Sequence, residues 1–249
     1  MSTQTTDGGS DIEKWKLPTI AGIVAFLGGF LVTYVLKGSD VSGELAEEWN
    51  GGAEEVGEPS TFEAVSWLFF EAHQVSIEMS GSWGDESFTE PAEIQELAAW
   101  DGYLQLIPII AIVAVAFVFV KNYTQTASAE EGAKQGAMIA AGYALAAVVI
   151  AYTGTFSESM TDDLVGTVSM SIGPDLVEAV LLAGLVYPAV GGALGGYFGH
   201  EQRPAAENPA SANGVEQTYD EADDTATVAS EEQADGVSSE SAAQTDQTQ

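Results

Sequence analysis

YLQLIPIIAIVAVAFVFV, residues Tyr103–Val120, runs without a single charged side chain. A helix of roughly 20 apolar residues spans a hydrocarbon core about 30 Å thick, and this stretch is close to that length. Three more stretches of the same character flank it: Pro18–Leu36, Gln135–Phe156 and Pro174–Phe198. Across all four, the only ionised groups are Asp175 and Glu178, both in the first turn of the last one. The expectation is an all-α fold: a four-transmembrane-helix bundle with an outer amphipathic helix and a disordered acidic C-terminal tail.

The basic residues orient this bundle. Lys plus Arg number 6 in a chain of net charge −32. With a cytoplasmic N-terminus, Lys14, Lys16, Lys121, Lys134 and Arg203 lie inside and Lys37 alone lies outside, a positive-inside arrangement. The expected segments are a cytoplasmic 1–17, helix 18–36, and an outer acidic loop 37–102. Helix 103–120, a cytoplasmic loop 121–134, helix 135–156, an outer loop 157–173 and helix 174–198 follow. A cytoplasmic tail 199–249 closes the chain. Trp15, Tyr34, Trp100, Tyr123 and Tyr152 frame the spans, where amphipathic rings favour the headgroup level. The apolar run Ile20–Leu36 is longer than the apolar core of a secretory signal and no A-x-A-like site follows it, so an uncleaved anchor is expected.

Composition narrows the chemistry. Asp plus Glu number 38, which excludes the basic footprint of a nucleic-acid binder. Dense carboxylates of this kind suit a salt-rich habitat, where self-repulsion is screened. Cysteine is absent, which removes disulfides, thiolate nucleophiles and cysteine metal sites. Beyond His200 large apolar side chains all but vanish, and such a segment cannot offset its ordering entropy.

Within the outer loop, Ser60 and Glu63 have capping-box spacing, and Phe62, Val65, Leu68, Phe69, Ala72 and Val75 recur at a helical period. An amphipathic helix over 60–79 is expected, lying on the outer surface or across the bundle mouth, with a re-entrant hairpin as the alternative. Gly81–Thr89 breaks it. Pro91, Ile94, Leu97 and Trp100 then lead with helical spacing into the second span. His73 is read as an interfacial residue of this outer helix. Only two histidines occur, and no EF-hand, phosphate-loop or catalytic pattern is present, so no metal, cofactor or reaction is expected. No titratable group is expected at mid-membrane, which counts against a proton-coupled pump.

Two sets of residues invite a role. Gly184, Pro188, Gly192 and Gly196 fall every four residues, as do Gly191, Gly195 and Gly199; Gly132, Gly136, Ala140 and Ala144 form a similar row. Small side chains at that spacing let helix backbones approach, either within one bundle or along an oligomer seam or permeation path. Asp175 and Glu178 follow Pro174, so they either cap the last helix or line an outer cation vestibule.

The acidic, cysteine-free composition, the outer acidic loop and the closing run AGLVYPAVGGALGGYFG (Ala183–Gly199) resemble an uncharacterised group of haloarchaeal multispan membrane proteins. That resemblance implies no established activity and transfers no functional residue. The expected function is a non-enzymatic envelope scaffold or regulatory component, whose partners are the lipid bilayer and membrane or envelope proteins, with a homo-oligomer open. The alternative is a small oligomeric transporter or channel with Gly-rich helix packing.

Overall fold

The computed structural model describes residues 8–49, 57–83, 86–162 and 166–203. Of the expected disordered tail over 199–249, residues 199–201 close the last helix and 204–249 lie outside the described residues. Helix α1 covers Gly8–Trp49 and α2 covers Thr61–Glu71. Leu106–Tyr123 is α3, Ala129–Ala137 is α4 and Ala140–Thr153 is α5. The last helix, α6, runs over Leu176–Glu201, with wide π-helical turns over Ala179–Val186. Those turns end just before Pro188, whose missing N–H leaves the Gly184 carbonyl without its usual donor. Four helical stretches are long and apolar enough to cross a membrane: Lys14–Glu44, Gly102–Tyr123, Ala129–Thr153 and Leu176–Glu201. Their outward faces carry bare apolar side chains, among them Leu31, Val35, Ile110 and Val190.

The fold is not all-α. A four-stranded antiparallel sheet, in the order β2-β1-β4-β3, is built from both connections at one end of the bundle. Its strands are β1 Ile77–Trp83, β2 Glu86–Pro91, β3 Phe156–Asp162 and β4 Gly166–Pro174. Each connection folds into a hairpin, and β1 pairs with β4 from Ile77↔Pro174 to Trp83↔Val168. The expected helix over 60–79 is therefore two elements, a helix ending at Glu71 and a strand beginning at Ile77. The cause is a period change. Ile77, Met79 and Gly81 alternate with Glu78, Ser80 and Ser82, a spacing of two that fits a strand. Pro91 ends a strand rather than starting a helix, and only short 3₁₀ turns, Ile94–Glu96 and Gly102–Gln105, precede α3.

Nor is α2 an amphipathic surface helix. Its N-terminus carries the full capping box: the Ser60 N–H donates to Glu63 Oε2 at 2.6 Å and the Glu63 N–H donates to Ser60 Oγ at 3.3 Å. Ala64 through Phe70 are then buried on every face of the helix. Phe62 and Phe69 pack against Phe30 of α1, and the Trp67 indole N–H donates to the Gly154 carbonyl at the end of α5. The helix plugs the mouth of the bundle on the sheet side.

The spans meet through glycine. A Cβ on Gly132 would lie 2.7 Å from the Gly196 carbonyl oxygen, and one on Gly192 would lie 2.5 Å from the Gly136 carbonyl oxygen. Gly191, Gly195 and Gly199 press in the same way on Ile112, Val113 and Phe117 of α3, and Gly184 on Ala144 of α5. Gly22 and Gly142 close the α1–α5 contact at Tyr143 and Thr19. Such approaches are open only to residues without side chains. Gly136→Leu is expected to destabilise the fold by about 3 kcal/mol or more, since backbone cannot yield as a flexible side chain would. Gly28→Ala meets nothing within 4 Å and is expected to be neutral, or stabilising by up to about 1 kcal/mol. Thermal unfolding of the two variants in detergent checks both.

Candidate functional site

A histidine sits where the sequence places none, in the apolar centre of the bundle. Helix α2 ends in a Schellman turn: the Val75 N–H donates to the Phe70 carbonyl, the Gln74 N–H donates to the Glu71 carbonyl, and Gln74 takes φ 61°. That turn points the His73 ring inward while Gln74 stays exposed. His73 is fully buried, not interfacial. Its Nδ1 lies 2.7 Å from the Phe69 carbonyl, which can only accept, so Nδ1 carries the proton. Its Nε2 lies 2.7 Å from the Tyr143 hydroxyl and accepts from it. One neutral tautomer satisfies both nitrogens.

Aromatic rings from two of the long helices and from α2 surround that pair. Phe26 of α1 stacks at 6.4 Å between centroids, Tyr187 of α6 lies at 5.2 Å, and Phe69 meets the imidazole edge-on at 4.7 Å. Tyr187 sits where the π-helical turns of α6 end. Widened turns of this kind place a side chain off the ordinary helical spacing. Tyr143 and Tyr187 fall near the middle of their helices, so the imidazole is reached about halfway along the bundle. A tyrosine in mid-span was the available signal, because a buried phenol O–H needs a partner.

Asp175 and Glu178 come together, but they are engaged. Asp175 Oδ1 accepts from the Glu178 N–H at 2.7 Å and caps the helix. Glu178 Oε2 accepts from the Ser76 N–H at 2.7 Å, and the Asp175 N–H donates to the Ser76 carbonyl at 2.9 Å. The pair thereby braces the turn between His73 and β1. The glycines of both rows lie in contacts between helices of this same chain. Lys37, 8 % exposed at its side chain, pairs with Asp101 and, at 3.5 Å, with Asp40. Among the described residues no three histidine or carboxylate side chains gather to hold a metal ion.

The sheet offers a second unusual surface. Alternation puts Ser80 and Ser82 of β1, Ser87 and Thr89 of β2, Ser157, Ser159 and Thr161 of β3, and Thr167, Ser169 and Ser171 of β4 on one face. The hydroxyls pair across strands, Ser82 with Ser169 at 2.8 Å, Ser157 with Ser171 at 2.9 Å and Thr161 with Thr167 at 3.2 Å. On the opposite face, Ile77, Phe156 and Ile172 are buried at the base while Trp83 and Phe88 are exposed towards the tip. The edge strands are β2 and β3.

Four helices apolar enough to span a membrane, a plug helix and a terminal sheet define a bundle protein with an appended antiparallel sheet. The chain belongs to a family of unknown function, DUF7978, whose model matches residues 1–203. No curated protein and no solved structure matches it.

Tyr143→Phe strips His73 Nε2 of its only donor and leaves a buried acceptor unpaired. A loss of about 1–3 kcal/mol in unfolding free energy is expected. His73→Leu combined with Tyr143→Phe is expected to destabilise by less than the two single losses added, because the pair then disappears together. A double-mutant cycle in detergent measures this coupling, and strict additivity would mean that the two groups do not interact.

Proposed function

We propose that this chain is a non-enzymatic integral membrane protein of a salt-adapted envelope. In this reading its sheet stands on the outer side as a docking platform for another envelope protein, with both ends of the bundle's helical region that carry Lys14, Lys16 and Arg203 in the cytoplasm. The observation that carries it is the sheet itself: a face made of hydroxyls, with exposed Trp83 and Phe88 near the tip. Such a surface has no task inside the bundle. Edge strands invite a further strand from a partner unless protected; β2 carries Glu86, Glu90 and Pro91, and Gly57 lies against Glu158 of β3.

Membrane insertion is supported by the outer faces of the helices. Side chains such as Val35, Ile110 and Tyr152 are more than half exposed, and apolar patches of this extent are rare on water-soluble monomers. Orientation is supported by Lys14, Lys16, Lys121 and Lys134, which lie at the end away from the sheet, against Lys37 alone at the sheet end. The closed glycine contacts favour a packed support over a conducting path through one copy. The net charge of −32 supports a high-salt setting.

Two experiments test this reading. The protein is expected to stay in the membrane fraction after alkaline washing. Because the chain has no cysteine, Ser87→Cys should react with a membrane-impermeant maleimide on intact cells and Gln125→Cys only after lysis. The reverse pattern would invert the topology. For the partner, a photo-crosslinking residue at Ser159 is expected to yield a discrete protein adduct that the same residue at Val148, on the apolar helix surface, does not. Lipid adducts alone at Ser159 would rule out protein docking on the sheet.

A further inference from the structure

We propose that Lys121 and Arg203 together hold the phosphate of an anionic phospholipid at the end of the bundle away from the sheet. The inference rests on the membrane reading above and goes beyond it by assigning a lipid class and its residues.

The starting point is charge pairing. In a chain with 38 carboxylates and 6 Lys plus Arg, every cation has partners to spare, and Lys37 and Lys134 take them. Among the described residues, neither Lys121 nor Arg203 has a carboxylate within ion-pair distance. The two sit at the same end of neighbouring helices. Gly199 lies against the backbone nitrogen of Lys121, so the last turn of α3 touches the last turns of α6, and Arg203 lies two residues past the end of α6.

The donors are also positioned. An Arg203 guanidinium nitrogen donates to Thr126 Oγ1 at 3.2 Å. The Thr126 hydroxyl also bonds His200 Nδ1 at 2.7 Å, which fixes the hydroxyl in place. The guanidinium is thus anchored at one nitrogen, and its remaining N–H groups meet no acceptor among the described residues. The Lys121 ammonium lies 5.3 Å from the centre of the Phe117 ring, a contact that holds it at the helix edge without neutralising it. A planar fork beside a point cation matches a phosphate diester, since arginine binds it in two-pronged fashion and lysine adds charge.

The setting selects a lipid rather than a free anion. Val118, Tyr123 and Phe198, on the same turns of α3 and α6, are at least half exposed. Donors at the polar end of an apolar, aromatic wall suit a headgroup whose acyl chains run down that wall.

The test uses the full-length protein in zwitterionic phosphatidylcholine micelles at moderate salt, titrated with short-chain phosphatidylglycerol while thermal unfolding is followed. Phosphatidylglycerol is expected to raise the midpoint by several degrees, and matched additions of phosphatidylcholine or inorganic phosphate are not. Lys121→Gln with Arg203→Gln is expected to weaken the apparent affinity by about tenfold or more, whereas Lys134→Gln, already paired, leaves it unchanged. Lys121→Arg with Arg203→Lys keeps both charges and should retain lipid selectivity, which separates loss of the site from loss of the fold. Equal stabilisation by inorganic phosphate, or undiminished selectivity in the Gln double variant, overturns the proposal. If the protein resists alkaline extraction yet shows no selectivity, only the lipid site fails. If it washes off the membrane, the parent reading fails.

Discussion

Backbone touching backbone is the constraint on which the rest of this structure depends. Gly132, Gly136, Gly192 and Gly196 bring α4 and α6 together with no side chain between them, and Gly191, Gly195 and Gly199 do the same for α6 and α3. For helices surrounded by hydrocarbon, as proposed, burying one leucine against another gains little, so association comes from close packing. Close packing at one end of α6 also fixes what happens at the other. Once the helix is held through Gly184 and beyond, its first turns, Leu176 onward, can only meet the sheet side at one height. The π-helical turns between Ala179 and Val186 take up the mismatch within the helix.

Closing the bundle by glycine at its lower half leaves space near the sheet, and α2 fills it. The plug is almost wholly apolar, yet it carries one imidazole that cannot be left unsatisfied. The polar pairing of His73 with the Phe69 carbonyl and the Tyr143 hydroxyl meets that demand. A phenylalanine at either position would pack as well in volume terms. The pair fixes how the turn after α2 enters the bundle, because His73 must reach both the Phe69 carbonyl and Tyr143. Buried polar pairs of this sort specify geometry more than they add stability.

Much of this architecture was legible in the chain. Long uncharged runs declare the four apolar helices, and Ser60 with Glu63 announces the start of α2. Small residues at intervals of four mark close-packing rows, although spacing alone cannot say whether the partner helix belongs to the same chain. The sheet was also written there, in Val168-Ser169-Met170-Ser171-Ile172 and its alternation with period two. It was masked because its outward residues are serine and threonine rather than charged, and because Gly81 sits in mid-strand, where it makes room for the Phe88 ring. His73 misled for a different reason. Glu71 precedes it and Glu78 follows it, so an average over the segment reads as surface, while the left-handed turn at Gln74 that directs the ring inward leaves no pattern in composition.

That same turn is the joint between sheet and bundle. His73 is buried among the helices and Ile77 is buried at the base of β1, with only Gln74, Val75 and Ser76 between them. Ser76 is tied at both its N–H and its carbonyl to Glu178 and Asp175 at the head of α6. A shift of β1 therefore has two outlets. It can break those bonds, exposing a capped helix start, or it can carry the turn with it and draw His73 from Tyr143. Neither comes free, since each leaves buried or charged acceptors without donors. The sheet is thus held to the core by a short polar bracket rather than by a hinge. A partner seated on the hydroxyl face would press on a platform that is continuous with the centre of the bundle.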